Sequence, residues 1–206
     1  MYTVEEDVIN SATHFLSAVA SILFTLLITF NVDISQIEIV SIFLMGFTGA
    51  WTFLSSYMYH SAREFPKRTR NQLLDKSAIY VMIGGNGACT CLIASSSTFS
   101  LICSLLLIGT ASALTAYLCL SSKVSETFTL TSYLLMGWLS VVPASGLIVP
   151  SKFTDLPQLI CLLGGGAAYS LGVAFYINEK KWYHSIWHGF TMLGFGLHMA
   201  ACYFCL

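Results

Sequence analysis

Two histidines near the C-terminal end of the sequence have a spacing that could bind a metal ion. His184 and His188 are four residues apart in the segment WYHSIWHGF, so one face of a helix would present both imidazoles. Ser56 and His60 have the same spacing in the segment SSYMYHSA. Three imidazoles from two helices suit Zn²⁺ and leave a fourth coordination position for water. The pattern therefore predicts a zinc site made by His60, His184 and His188.

Asp75 and Ser56 are the residues that could carry out chemistry at this site. Asp75 opens the third predicted helix, at the same end of the bundle as the three histidines. Ionisable groups inside a bilayer normally mark a function or a paired network. The Asp75 carboxylate could accept a proton from water on the metal or orient a ligand, and the Ser56 hydroxyl could hold that water or a substrate oxygen. The spacing leaves one alternative open, in which these side chains form an interfacial hydrogen-bonding cluster.

The other two histidines of the sequence, His14 and His198, are interpreted as structural. His14 lies close to Glu5, Glu6 and Asn10 in the sequence, and we expect it to join a hydrogen-bonding network at the start of the first helix. His198 lies ten residues beyond the second histidine of the pair. We interpret it as a structural partner for a polar neighbour.

The composition is that of an integral membrane protein. The chain has 206 residues, of which 56% are hydrophobic and 9% are charged, whereas about 25% of the residues of a soluble domain are charged. The mean hydropathy is +0.75. A soluble enzyme is excluded, and a net charge of −1 leaves no basic surface for nucleic acid. No nucleic-acid partner is expected.

Charge-free stretches predict the membrane spans. About 20 apolar residues cross the hydrocarbon core, and the stretch 77–122 is long enough for two crossings, divided by the polar cluster at 95–98. The sequence predicts one all-α domain over residues 1–206, with a loop at 61–74 and a kink in the fifth helix at Pro143. The predicted bundle has seven transmembrane helices, near residues 11–30, 39–60, 75–94, 99–120, 127–148, 157–177 and 183–205.

The basic residues predict the orientation of this bundle. Lys152 would lie on one side of the membrane, and the other eight lysines and arginines on the side of the N-terminus. Cytoplasmic loops are enriched in lysine and arginine, so we expect a cytoplasmic N-terminus and an external C-terminus. The eight residues are Arg63, Lys67, Arg68, Arg70, Lys76, Lys123, Lys180 and Lys181.

Four segments together resemble the signatures of the haemolysin III family, the bacterial branch of the progestin and adipoQ receptors. These segments are EEDVINSATHF, SSYMYHSA, LLDKSAIYVMIGG and HSIWHGFTMLGFGLH. The resemblance implies a seven-helix bundle with its N-terminus inside and one zinc ion near the cytoplasmic face. The metal would be held by His60 of the second predicted helix and by His184 and His188 of the seventh. Asp75 and Ser56 would contact the zinc-bound water. The segment GGNGACTCL lacks the threonine–proline pair that is usual in the family, so the shape of a neighbouring cavity could differ.

Two functions from different classes are compatible with this sequence. The first is a zinc-dependent hydrolase of a lipid amide or ester, with a membrane lipid as substrate, since the related alkaline ceramidases use a similar site on a lipid amide. The second is a cytolytic or receptor-like membrane protein in which zinc is structural. We expect no polar stripe along the full length of any helix, which argues against a water-filled pore. The compact size favours a bacterial inner membrane, while the substrate and the oligomeric state stay open.

Overall fold

The computed structural model describes residues 2–121 and 123–206. These residues form seven α-helices and no β-strand, which confirms the predicted all-α class. Five of the helices (α1, α2, α3, α4 and α6) are long and apolar enough to cross a membrane. In chain order the helices are α1 (Val4–Asn31), α2 (Gln36–Ser61), α3 (Phe65–Ala94), α4 (Thr98–Leu120), α5 (Glu126–Leu139), α6 (Leu156–Tyr176) and α7 (Tyr183–Tyr203).

Helix α1 begins seven residues earlier than predicted because a capping box starts it. The Glu6 backbone N–H donates to the Thr3 hydroxyl at 3.2 Å, and the Thr3 backbone N–H donates to Glu6 Oε2 at 2.8 Å. Each contact satisfies a donor that the first helical turn leaves without an intrahelical partner. The acidic start of the chain is therefore part of a helix, and its side chains are positioned by it.

Most of the predicted loop at 61–74 is helical, so the prediction of a loop there is wrong. Helix α3 begins at Phe65 with Pro66 in its first turn. A backbone N–H in the first turn has no intrahelical acceptor, so proline costs the helix no hydrogen bond there. The connection from α2 shortens to 62–64. As a result Arg68 and Asp75 are carried by one rigid helix.

The predicted helix at 127–148 ends at Leu139, so Pro143 terminates α5 and does not kink it. Proline offers no N–H to the carbonyl four residues earlier. The chain continues in shorter turns, with the Val142 N–H donating to the Leu139 carbonyl at 3.3 Å. The segment then docks on the end of α3 through the Lys152 N–H, which donates to the Ala94 carbonyl at 2.8 Å.

Helix α3 lies at the centre of the bundle. It packs against α2 and α4 and also contacts α5 and α7, while α1 closes the bundle against α2 and α7. Large apolar side chains cover the outside, as on the exposed face of α4 with Leu101, Leu105 and Leu106. Such a surface is typical of helices that face lipid. With five helices able to cross a membrane, the chain is a multi-pass membrane protein.

Helix α1 carries a polar stripe along its buried face, which corrects the expectation that no helix has one. The stripe runs from Asn10 through Ser17 and Ser21 to Thr25, all of them buried. The hydroxyls do not need water, because each donates to a carbonyl four residues earlier: Ser21 to Ser17 at 2.7 Å and Thr25 to Ser21 at 2.8 Å. The hydroxyls of the stripe are therefore satisfied within α1 itself.

Candidate metal centre

Three histidine nitrogens converge at the end of the bundle where α1 and α7 begin and α2 ends. The Nε2 atom of His184 lies 3.3 Å from Nε2 of His60 and 3.1 Å from Nε2 of His188. His60 and His188 are buried and His184 is half-buried. The structure thus brings together the three residues that the sequence predicted as metal ligands.

Asp7 orients His60. Its Oδ1 lies 2.8 Å from Nδ1 of His60, and the Arg68 guanidinium donates to both carboxylate oxygens at 2.9 and 3.0 Å. An ionised carboxylate only accepts hydrogen bonds, so Nδ1 of His60 must carry the hydrogen. The lone pair of His60 is then on Nε2, the atom that faces the other two histidines.

Tyr2 and His14 support the two histidines of α7. The Tyr2 hydroxyl lies 3.0 Å from Nδ1 of His184, and burial raises the pKa of the Tyr2 phenol. The phenol therefore stays protonated and can accept a hydrogen bond from Nδ1 of His184. The His14 ring is stacked on His188 with centroids 3.7 Å apart and planes within 10°, which fixes the plane of that imidazole.

Glu6 joins the start of α1 to the start of α7. Its Oε1 accepts a hydrogen bond of 2.7 Å from the Trp182 backbone N–H, and Trp182 has a left-handed backbone with φ of 69°. A non-glycine residue pays for this conformation with local strain, so the contact with Glu6 helps to hold it. This contact fixes the position of the first turn of α7, which carries His184.

The histidine geometry fits a tetrahedral zinc ion. Zn–N bonds of about 2.0–2.1 Å place two tetrahedral nitrogen ligands about 3.3 Å apart, close to the 3.1 and 3.3 Å observed between these nitrogens. The alternative is a hydrogen-bonded cluster in which Nε2–H of His184 is shared between two acceptors. With hydrogens on the Nδ1 atoms that face Asp7 and Tyr2, the Nε2 lone pairs of His60 and His184 can bind a cation. The metal itself could be any ion that prefers imidazole.

Asp75 and Ser56 share a cavity with the histidines. The cavity has a volume of about 120 Å³ and largely apolar walls, and it is lined by Ser56, Asp75, His184 and His188 among others. The Ser56 hydroxyl is adjacent to the half-buried Asp75 carboxylate. The structure therefore places the predicted general base, the serine predicted to orient the water and two of the predicted ligands on the wall of one cavity.

The structure revises the interpretation of His14 and His198. The ring nitrogens of His14 make no hydrogen bond with Glu5, Glu6 or Asn10 within residues 2–121 and 123–206, so the expected network is absent there. His14 stacks on a predicted ligand instead, and His198 packs edge-on against the Tyr169 ring with centroids 5.6 Å apart.

Sequence reasoning missed Tyr2, Glu6 and Asp7 as parts of the site. They contact residues that are 182, 176 and 53 positions away along the chain, a separation at which helical periodicity carries no information. The one local signal was the acidic run Glu5-Glu6-Asp7, since a buried carboxylate requires a cationic or hydrogen-bonding partner.

Comparison with known proteins matches almost the entire chain to the family that its sequence motifs resemble. A family model described as haemolysin-III related matches residues 2–199. A hemolysin-3 homolog of Bacillus subtilis (strain 168) is 30% identical over 212 residues, covering 100% of this chain and 95% of that protein. A hemolysin-3 of Bacillus cereus is 30% identical over 216 residues, covering 98% of this chain and 91% of that protein. No solved structure matches the chain. With the match running from the start of α1 into α7, the chain belongs to the haemolysin III family.

Proposed function

We propose that this protein is a zinc-dependent hydrolase of a lipid amide or ester. The observation that carries the proposal is the convergence of three histidine Nε2 atoms beside a largely apolar cavity that also contains Asp75 and Ser56. A largely apolar cavity with a few convergent polar groups is the usual form of a small-molecule site. The apolar walls suit an acyl chain.

The metal would polarise the scissile carbonyl and lower the pKa of a water molecule when it is bound. His60, His184 and His188 would hold it as neutral imidazoles, so that it keeps its full positive charge. Asp75 would accept the proton of the attacking water and pass it to the leaving amine or alcohol. The Ser56 hydroxyl, adjacent to Asp75, would orient that water or donate to the developing oxyanion.

The first experiment measures the metal content of detergent-purified protein beside the His188→Ala variant. We expect one zinc per chain in the wild type and its loss from the variant. A screen of fluorescent acyl amides and esters then tests hydrolysis, with Asp75→Asn as the variant that should keep zinc and lose cleavage. Wild-type protein without zinc, or full cleavage by His188→Ala, would contradict the proposal.

A second candidate function is cytolysis or a receptor-like role with structural zinc. The observation that favours it is that the two similar Bacillus proteins are named as a hemolysin-3 and a hemolysin-3 homolog. Lysis of erythrocytes by reconstituted protein separates the two candidates. Lysis that persists in Asp75→Asn supports cytolysis without hydrolysis, whereas lysis that disappears with cleavage makes it a consequence of lipid products.

The proposed orientation places the metal centre near the cytoplasmic face of a bacterial inner membrane. Eight of the nine lysines and arginines belong to the N-terminal side of the predicted topology, and positive charge favours the cytoplasmic side. Labelling of single cysteines at Lys123 and Lys152 from outside intact cells tests this. We expect only the Lys152 position to react, and the opposite pattern would reverse the topology.

A further inference from the structure

A second group of polar side chains lines the same cavity far from the metal centre. It consists of Asn86 on α3, Tyr169 on α6 and His198 on α7. His198 lies ten residues beyond His188 on the same helix, which corresponds to about 15 Å along the axis. The cavity therefore has a polar group at each end and apolar walls between them.

The polar atoms of this group are poorly satisfied by the described residues. Asn86 Oδ1, the Tyr169 hydroxyl and both ring nitrogens of His198 are buried and form no hydrogen bond of good geometry there. The nearest polar groups are Asn86 for the Tyr169 hydroxyl and the Leu162 backbone for the His198 ring. Nearby hydroxyls on the cavity wall are satisfied: Thr191 donates to the His188 carbonyl at 2.8 Å. Leaving a buried donor or acceptor unpaired is unfavourable, so atoms in this state indicate a place where a ligand supplies the partners.

Glycines on α6 and α7 make room for the two rings. A Cβ atom at Gly165 would overlap the His198 imidazole, and one at Gly194 would lie 2.8 Å from Tyr169 Cε2. Each helix thus lacks a side chain where the ring from the other helix crosses. The contact between the rings, with centroids 5.6 Å apart, keeps both at the cavity wall.

We propose that Asn86, Tyr169 and His198 form a subsite for a neutral hydrogen-bonding group, a hydroxyl or an amide, on the acyl chain of the substrate. Asn86 Oδ1 accepts, the Tyr169 hydroxyl donates or accepts, and a neutral His198 offers one donor and one acceptor. These three side chains supply no carboxylate, lysine or arginine, so the group they recognise is uncharged. This inference rests on the proposed function, because it takes the reacting carbonyl to lie at the metal centre.

The test compares the binding of stearate and 12-hydroxystearate, which differ by one mid-chain hydroxyl, to full-length protein in nanodiscs. Both are products expected from an acyl substrate, so their carboxylates would lie at the reaction end. We expect wild-type protein to prefer the hydroxylated acid by about fivefold, the effect of one good hydrogen bond. Tyr169→Phe keeps the ring and removes only the hydroxyl, and it should lower the preference to about one.

Tyr133→Phe is the matched control. Tyr133 also lines the cavity, but its hydroxyl already donates to the Lys76 carbonyl, so the preference should be unchanged. Equal binding of both acids by the wild type, or a preference that survives in Tyr169→Phe, overturns the subsite. Metal content and amide cleavage are measured separately. Protein that prefers 12-hydroxystearate but has no zinc and cleaves no amide refutes the hydrolase and supports the subsite. Protein that binds zinc and cleaves amides but shows no such preference supports the hydrolase and refutes the subsite.

Discussion

Replacement of Asp7 by asparagine should weaken zinc binding without unfolding the protein. Asp7 is 4% exposed, accepts from His60 Nδ1 at 2.8 Å and from Arg68 at 2.9 and 3.0 Å. Asparagine keeps an oxygen that can accept from His60 but removes the negative charge. His60 then becomes a weaker ligand, and its ring is held less firmly in the plane that directs Nε2 to the other histidines.

The expected loss is about tenfold in zinc affinity. Loss of a group that orients a metal ligand typically reduces affinity by about 10–100-fold, and asparagine falls at the lower end because one hydrogen bond survives. Tenfold corresponds to about 1.4 kcal/mol. Alanine is a poorer test, because it would remove every acceptor oxygen and leave both His60 and Arg68 without a hydrogen-bonding partner. Breaking a buried ion pair in this way destabilises a fold by about 3–5 kcal/mol.

The assay is competition for zinc with a fluorescent chelator in detergent, with circular dichroism and gel filtration to verify the fold. Glu5→Gln is the matched control, because Glu5 is two residues away on the same helix and forms an exposed ion pair of 3.4 Å with Lys181. Exposed pairs contribute about 0–1 kcal/mol, so zinc affinity should not change. Wild-type affinity in folded Asp7→Asn, or an equal loss in Glu5→Gln, would refute the role of Asp7 in orienting His60.

Three further changes test the site and the packing around it. Asp75→Asn should lower the rate of lipid cleavage by about 10²–10⁴-fold, the usual effect of losing a general base, with one zinc retained by metal analysis; cleavage at the wild-type rate would exclude that role. Tyr2→Phe removes the phenol oxygen that faces the first histidine of α7, and we expect zinc affinity in the chelator assay to fall by less than in Asp7→Asn, about tenfold at most. Gly165→Ala should destabilise the protein by about 1–3 kcal/mol in thermal unfolding, because its Cβ would overlap His198, whereas Gly164→Ala meets only an ordinary contact at 3.6 Å and should be neutral; equal melting of the two variants would contradict this account of the α6–α7 contact.

The sequence determined what depends on local pattern. Helical spacing placed two histidines four residues apart on one face, and the structure confirms that these meet a third histidine from α2. Runs of uncharged residues predicted seven helices, because a charge in hydrocarbon is unfavourable over the whole span. The described residues form seven helices, of which five are long and apolar enough to cross a membrane. The helix ends were less predictable. Thr3 begins α1 through a capping box and Pro143 ends α5, and both outcomes depend on hydrogen bonds of individual residues.

Only the tertiary structure decided what surrounds the predicted ligands. The contacts of Tyr2 with His184 and of Asp7 with His60 join the start of the chain to α7 and α2. Packing between the helices determines which of their faces meet, and helical periodicity within one segment does not contain that information. The same holds for the group of Asn86, Tyr169 and His198, which come from three helices and share one cavity wall. Sequence pattern fixes which side of a helix is polar, and side-chain packing between helices decides what that side faces.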